Sequence, residues 1–574
     1  MTRKFIRAVI FATAFLMATA SLTYAQAIFE GDRSVPVESK NGMVVTSHTL
    51  STKDALMVLK NGGNAIDAAV TAAFSLAVTQ PRSGNIGGGG FMLFSSEKTG
   101  EVVAIDYRET APASATRDMF LDKDGDVDKN LSRNSHKSAG VPGTVAGLAL
   151  ALEKYGTISL SEALAPAIKL AEEGFIVTPR FSKGVKSRGK HIRKWNSSRK
   201  IFFKSDGSTY ESGDLFIQKD LAKTLRRIAE QGVKGFYEGE TAGLIVAEME
   251  RSGGLITKTD LRGYKPVIRK PVHGTYRGHD IYSMTTPSSG GTHIIQILNI
   301  LEGFPIGYLG HNSASTIHLM AEAMTRAYAD RSKYLGDSDF IKVPLDGLTS
   351  KRYAAELRKG INQNRASVSE DILPGNPLSY ESNETTHFSV VDRWGNAVSN
   401  TYTINFSYGS NIVVEGAGFL LNNEMDDFSA KPGIPNAYGL IGGEANKIEG
   451  GKRMLSSMSP TIVKKDGKNF LVTGSPGGSQ IITTTLQVIM NVIDHNLNIQ
   501  SAVNAPRIHH QWLPDEIRVE EGLSPDTIKL LEGMGHAIKQ KSAMGAIQSI
   551  MIGPDGIFYG GADPRRSTSS AMGF

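Results

Sequence analysis

Apolar and polar positions along the chain repeat with two periods, and each period marks a type of element. Residues 43–47 (MVVTS) read as a strand. A helix follows, its start marked by Ser51 with Asp54 three residues on, a capping-box pattern, and its end by Gly62 and Gly63. Asn64 caps a second, apolar helix running to about position 78, after which Gln80-Pro81 turns the chain into a glycine cluster at 84–90 and a short strand at 91–95. Helical spacing recurs at 144–155, 161–173, 218–231 and 316–335. From about position 385 the texture shifts towards strands, at 387–392, 397–403 and 470–474, with an apolar helix at 481–493. Repeats and low-complexity tracts are absent.

The first residues change how the rest is read. Arg3, Lys4 and Arg7 precede an apolar run at 8–22, and Thr23 and Ala25 supply small residues after it, which predicts a secretory signal peptide over 1–25. As an uncleaved anchor the run is short against the ~20 residues a spanning helix needs. No later stretch is apolar enough to span a bilayer, so the expectation is an exported, periplasmic protein without stable membrane insertion. Loss of the three leader cations takes the formal net charge from +6 to +3, too small to suggest nucleic acid as the main partner. At 574 residues, 40% apolar and 21% charged, the chain has the composition of a large globular protein. It has no cysteine, so catalysis is left to hydroxyls, carboxylates and histidines.

Several familiar chemistries find no match: there is no G-x-S-x-G elbow, P-loop, H-E-x-x-H or G-x-G-x-x-G. The basic stretch 183–204, with Trp195, Phe202 and Phe203 interleaved, fits a solvated surface face better than an anion-binding patch. Asp122, Asp124, Asp126 and Asp128 resemble part of a calcium loop, but Gly125 is misplaced and position twelve is Arg133, so a polar turn is expected. His509 and His510 are adjacent and therefore splay apart, which argues against a shared metal.

The informative stretch is Glu384-Thr385-Thr386-His387 and the hairpin after it. If Trp394 and Gly395 form a two-residue loop, Arg393 pairs with Asn396 and every cross-strand pair sums to 789. That register sets Thr386 opposite Thr403 and gathers Thr385, Thr403 and Asn405 at one end. Threonine is also a good strand residue, so the pattern alone fits an ordinary hairpin better than a catalytic one.

The block TTHFSVVDRWGNAVSNTYTINFSYG, 385–409, resembles the nucleophile signature of the γ-glutamyltransferase (γ-glutamyl transpeptidase) family. Further blocks similar to that family follow its order: SGNIGGGGFML from Ser83, DYRETAP from Asp106, GVPGTVAG from Gly140, PSSGG from Pro287, LLNNEMDDFSAKPG from Leu420, LSSMSPTIV from Leu455, GSPGGS from Gly474 and NAPRIHHQWLPD from Asn504.

The resemblance implies an α+β fold, the four-layer αββα sandwich of N-terminal-nucleophile hydrolases, and a precursor that cuts itself between Glu384 and Thr385. A large subunit of 26–384 and a small catalytic subunit of 385–574 would stay together as a heterodimer. Thr385, freed at its amino end, would be the nucleophile with its own α-amine as base. Thr403 would orient it, and the backbone N–H groups of Gly477 and Gly478 would receive the oxyanion. Arg108, Ser456 and Ser457 would hold the substrate carboxylate, and Asn405, Glu424 and Asp427 its ammonium.

Glu424 and Glu384 are glutamine in some relatives. Loop 432–443, with Tyr438, corresponds to a lid over the site, and glycines 87–90 to a close-packed wall. No metal or other cofactor is implied. The implied partners are glutathione and other γ-glutamyl compounds, with amino acid or dipeptide acceptors. Two other readings stay open: a glutaryl or cephalosporin-type acylase of the same superfamily, and a non-catalytic exported binding protein with the same fold.

Overall fold

Strands Phe388–Asp392 and Ala397–Thr403 form the expected hairpin at the centre of a seven-stranded antiparallel sheet, in a computed structural model that describes residues 35–377, 388–436 and 438–574. The expected leader, Glu384 and Thr385 lie outside the described residues.

From edge to edge this sheet runs Ser570–Gly573, Gly42–Thr46, Phe388–Asp392, Ala397–Thr403, Gly89–Ser95, Val102–Tyr107, Val267–Arg269. A second seven-stranded antiparallel sheet runs Val37–Ser39, Phe558–Ala562, Gln548–Ile552, Lys468–Thr473, Thr461–Lys465, His279–Ser283, Val272–Tyr276. Strand alternation then builds the layers. Met43, Val45, Phe91, Leu93 and Val391 face Ile462, Val472 and Ile550 between the sheets. Their neighbours Val44, Met92, Val390 and Val398 face outward onto helices Thr49–Lys60, Ala65–Thr79 and Thr144–Tyr155. On the far side Ile281, Val463 and Leu471 pack under helices Gly290–Leu301, Ala314–Tyr334 and Gln480–Ile493. Three apolar seams between four layers make the αββα sandwich that the resemblance implies.

Helix Ala65–Thr79 is buried at every position, as an all-round apolar helix must be. Asn64 caps it as predicted, accepting from Ile66 N and Asp67 N while Asp67 accepts from Asn64 N.

Two local expectations are corrected. The preceding helix begins at Thr49 and is capped by His48, not by a Ser51/Asp54 box. Ser51 instead donates to Ala72 O, and Asp54 accepts from Ser75, so both side chains tie that helix to its neighbour. The hairpin register is one residue from the predicted one: Val391 pairs with Ala397 and Phe388 with Asn400, a sum of 788. The reason is the turn. Gly395 takes φ 85°, and Asp392 accepts from the N–H groups of Trp394 and Asn396, which stabilises a three-residue loop in place of a two-residue one.

The basic segment forms helices Pro179–Ile192 and Asn196–Phe202, with Phe202 and Phe203 buried and Lys183, Lys186 and Lys190 exposed, the solvated face expected. Asp122 closes its acidic turn by accepting from Asp124 N and Asp126 N. No helix among the described residues is long and apolar enough to cross a membrane.

Candidate active site

The end of the central hairpin opens into a cavity of about 290 Å³. Every candidate side chain or glycine proposed above that lies within the described residues lines it: Thr403, Gly477 and Gly478 for catalysis; Arg108, Asn405, Glu424, Asp427, Ser456 and Ser457 for binding; and Tyr438 as lid.

Thr403 ends its strand opposite Gly89. Its Oγ1 accepts from Asn405 N at 2.8 Å, which leaves the hydroxyl proton to be directed elsewhere. The glycine wall explains how the strand end comes so near its neighbours. A Cβ at Gly88 would sit 2.0 Å from Thr403 O, and one at Gly87 would sit 2.2 Å from Leu420 O. Only glycine allows that approach.

Glu424 and Asp427 come from one 3-10 turn, Glu424–Asp427, and both reach Arg108. The fully buried guanidinium lies 2.8 Å from Glu424 Oε2 and 2.6 Å from Asp427 Oδ2, and its Nε donates to Met454 O. Burial alone would depress Arg108, but Glu424, Asp427 and Glu109 outweigh it and keep the guanidinium charged. The carboxyl groups pay the opposite way: burial pushes Glu424 well above the usual carboxylate range, and it pushes Glu109 up to about 8. The resting pocket is thus a cation set among three carboxyl groups, at least one of which keeps its proton near neutral pH.

Ser456 and Ser457 are held from behind by the PSSGG segment. Ser289 N and Oγ both donate to Ser456 O at 2.9 Å, and Ser456 N donates to Pro287 O. No motif singles out Arg331, whose Nε donates to Ser289 and whose Nη2 lies 3.4 Å from Ser457 Oγ. Burial lowers this arginine to about 10. Its charge does not set it apart, because Glu322, Arg326 and Asp330 are also charged and buried on helix Ala314–Tyr334.

The ring of Tyr438, the expected lid residue, lies over Gly478. Tyr438 OH donates to Asn405 Oδ1 at 2.7 Å, and Gln511 Nε2 donates to Tyr438 O. Gly477 and Gly478 have φ 143° and 60°, and a Cβ on Gly478 would meet the Tyr438 ring at 2.5 Å. Glycine is required there both for the backbone and for the ring above it.

His509 and His510 diverge as expected: His509 Nδ1 contacts Thr483 and His510 Nε2 contacts Asp515. Among the described residues, one trio has metal-ligand spacing, His318, Glu322 and His536. Its members already satisfy one another and their neighbours, with His318 between His536 and Asn362 O, and Glu322 on Arg326 and Ser367.

The family model described as gamma-glutamyltranspeptidase matches residues 51–573. The chain belongs to the gamma-glutamyltranspeptidase family. A glutathione hydrolase proenzyme of Escherichia coli (strain K12) is 54% identical over 545 residues, covering 95% of this chain and 94% of the relative. The crystal structure of a cephalosporin acylase from Bacillus halodurans superposes with a TM-score of 0.85 at 30% identity, over 97% of this chain and 98% of that one. The Helicobacter pylori gamma-glutamyltranspeptidase structure is 50% identical with a TM-score of 0.58, over 59% of this chain and 96% of that one. As a gamma-glutamyltranspeptidase family member with the N-terminal-nucleophile sandwich, the chain is an enzyme.

Proposed function

We propose that this enzyme is an autoprocessing γ-glutamyltransferase and glutathione hydrolase. The observation that carries the reading is the pairing of opposite charges in one small cavity, Arg108 against Glu424 and Asp427, beside the strand end that carries Thr403. A γ-glutamyl group ends in an amino-acid zwitterion. Entering there, it exchanges the internal ion pairs for its own: its carboxylate takes Arg108 with the hydroxyls of Ser456 and Ser457, and its ammonium takes Asn405, Glu424 and Asp427. A cation brought against a surplus of carboxyl groups lets the raised ones ionise.

In the precursor, the Thr385 hydroxyl attacks the carbonyl of Glu384, and hydrolysis of the resulting ester frees the Thr385 amine and leaves a heterodimer of 26–384 and 385–574. Phe388 pairs with Asn400 at the last described rung; Thr385 and Thr403 each stand three positions beyond it in sequence, which supports Thr403 as the residue that orients the nucleophile. In turnover the amine takes the hydroxyl proton as Thr385 attacks the γ-carbonyl. The tetrahedral oxyanion sits against the N–H groups of Gly477 and Gly478. Collapse breaks the C–N bond, and the leaving amine, cysteinylglycine in the case of glutathione, departs with that proton. Water then releases glutamate, or the amine of an amino acid or dipeptide acceptor takes the acyl group. The leader supports export to a periplasm.

An acylase acting on glutaryl side chains has no ammonium to bind. Comparing kcat/KM for glutathione with that for a glutaryl amide of the same leaving group tests the reading. Preference for the γ-glutamyl compound is expected, and equal or better turnover of the glutaryl amide overturns it.

A further inference from the structure

Two arginines on the cavity wall take no part in the zwitterion pocket. Arg82 and Arg566 line the same cavity as Thr403 and Gly477, which Ser83, Phe406 and Ser407 also line. Arg82 Nη2 donates to Ser407 Oγ at 2.8 Å, and its backbone O accepts from Tyr408 N. The Arg566 guanidinium has no hydrogen-bond or ion-pair partner among the described residues. It also borders the adjoining cleft beside Phe388, Tyr402 and Pro476. Burial depresses it well below the ordinary arginine range, and the neighbouring charges of Arg180 and Arg82 add to that effect. Like charges held together beside a reaction centre destabilise the empty site, and a bound anion relieves them.

We infer that Arg82 and Arg566 form a second anion subsite, on the leaving-group side of the scissile bond, which takes the C-terminal carboxylate of the amine portion of a γ-glutamyl donor and of an incoming peptide acceptor. The inference rests on the γ-glutamyl reading above. Arg108, with Ser456 and Ser457, serves the α-carboxylate of the γ-glutamyl group, so a substrate such as glutathione, with one carboxylate at each end, is held at both. Arginine suits the task because its fork donates two hydrogen bonds to a carboxylate and keeps its charge when partly desolvated.

The test uses the mature enzyme and two substrates that differ by one carboxylate, γ-glutamyl-4-nitroanilide and γ-glutamyl-3-carboxy-4-nitroanilide. The readout is the ratio of their kcat/KM values, anionic over neutral. In wild type the ratio is expected to fall as salt is raised, since screening weakens a partly exposed charge contact. Arg566→Gln and Arg82→Gln are each expected to lower it by about tenfold, the scale of one charge-assisted hydrogen bond. A ratio that ignores salt in wild type, or that stays within twofold in both variants, overturns the inference. If the variants fail to cleave their precursor, the wild-type salt series decides by itself. Failure of both anilides to turn over would overturn the γ-glutamyl reading instead, so the two failures are distinct.

Discussion

Glu109 keeps its proton far above the ordinary carboxylate range because it is fully buried. Burial raises it to about 8 from 4.5, so the unfolded chain sheds this proton from about pH 4.5 while the fold holds it to about pH 8. Its contribution to stability is complete below the lower value and declines as pH rises across that window. Glu109→Gln, which stays neutral throughout, is expected to gain on wild type between pH 5 and pH 8 in urea denaturation. At Gly478 the demand is steric. Gly478→Ala drives a methyl into the Tyr438 ring and displaces the proposed oxyanion donors, so kcat for a γ-glutamyl anilide should fall by on the order of 10²-fold. Tyr438→Phe removes only the hydrogen bond to Asn405, and a loss of about 1 kcal/mol in kcat/KM is expected from the same assay.

At the scale of elements, the turn of the central hairpin decides where the strand end delivers its residues. Asp392 accepts from Ala65 N, Trp394 N, Asn396 N and Asn396 Nδ2, so it ties the turn both to itself and to the start of helix Ala65–Thr79. Asp392→Ala leaves several buried donors without a partner and should cost about 3 kcal/mol in chemical denaturation. Gly395→Ala, at φ 85°, should cost about 1 kcal/mol. This turn also marks the limit of what the sequence makes legible. Strand 397–403 and helix 144–155 are bounded as their periodicity predicts, because apolar spacing is a local property. The register is not, because it depends on an aspartate side chain capturing the turn, and Trp394-Gly395 reads equally well as a shorter loop. Likewise Asn64 is recognisable as a cap, whereas Ser51 and Asp54 imitate one while bonding to a neighbouring helix.

For the whole molecule, the sandwich brings together segments far apart in sequence. Arg108, Thr403, Glu424, Ser456 and Gly478 meet because two sheets stack and their loops open at the same end. Periodicity cannot reveal such a meeting, so the site was legible only through family blocks whose order matches across the chain. Residues outside those blocks' assigned roles, Arg331, Arg82 and Arg566, became visible once the cavity placed them beside the rest. The αββα layering itself follows from strand alternation, since Met43 and Val45 face one seam and Val44 the other.

The central claim is that cutting before Thr385 creates the catalyst. Intact mass and N-terminal sequencing of the purified protein, with a γ-glutamyl anilide assay on the same sample and on Thr385→Ala, test it most directly. The account predicts two chains, the smaller beginning Thr-Thr-His, and a variant that stays as one inactive chain. An uncut protein that turns over the anilide, or a Thr385→Ala variant that keeps its activity, would contradict it.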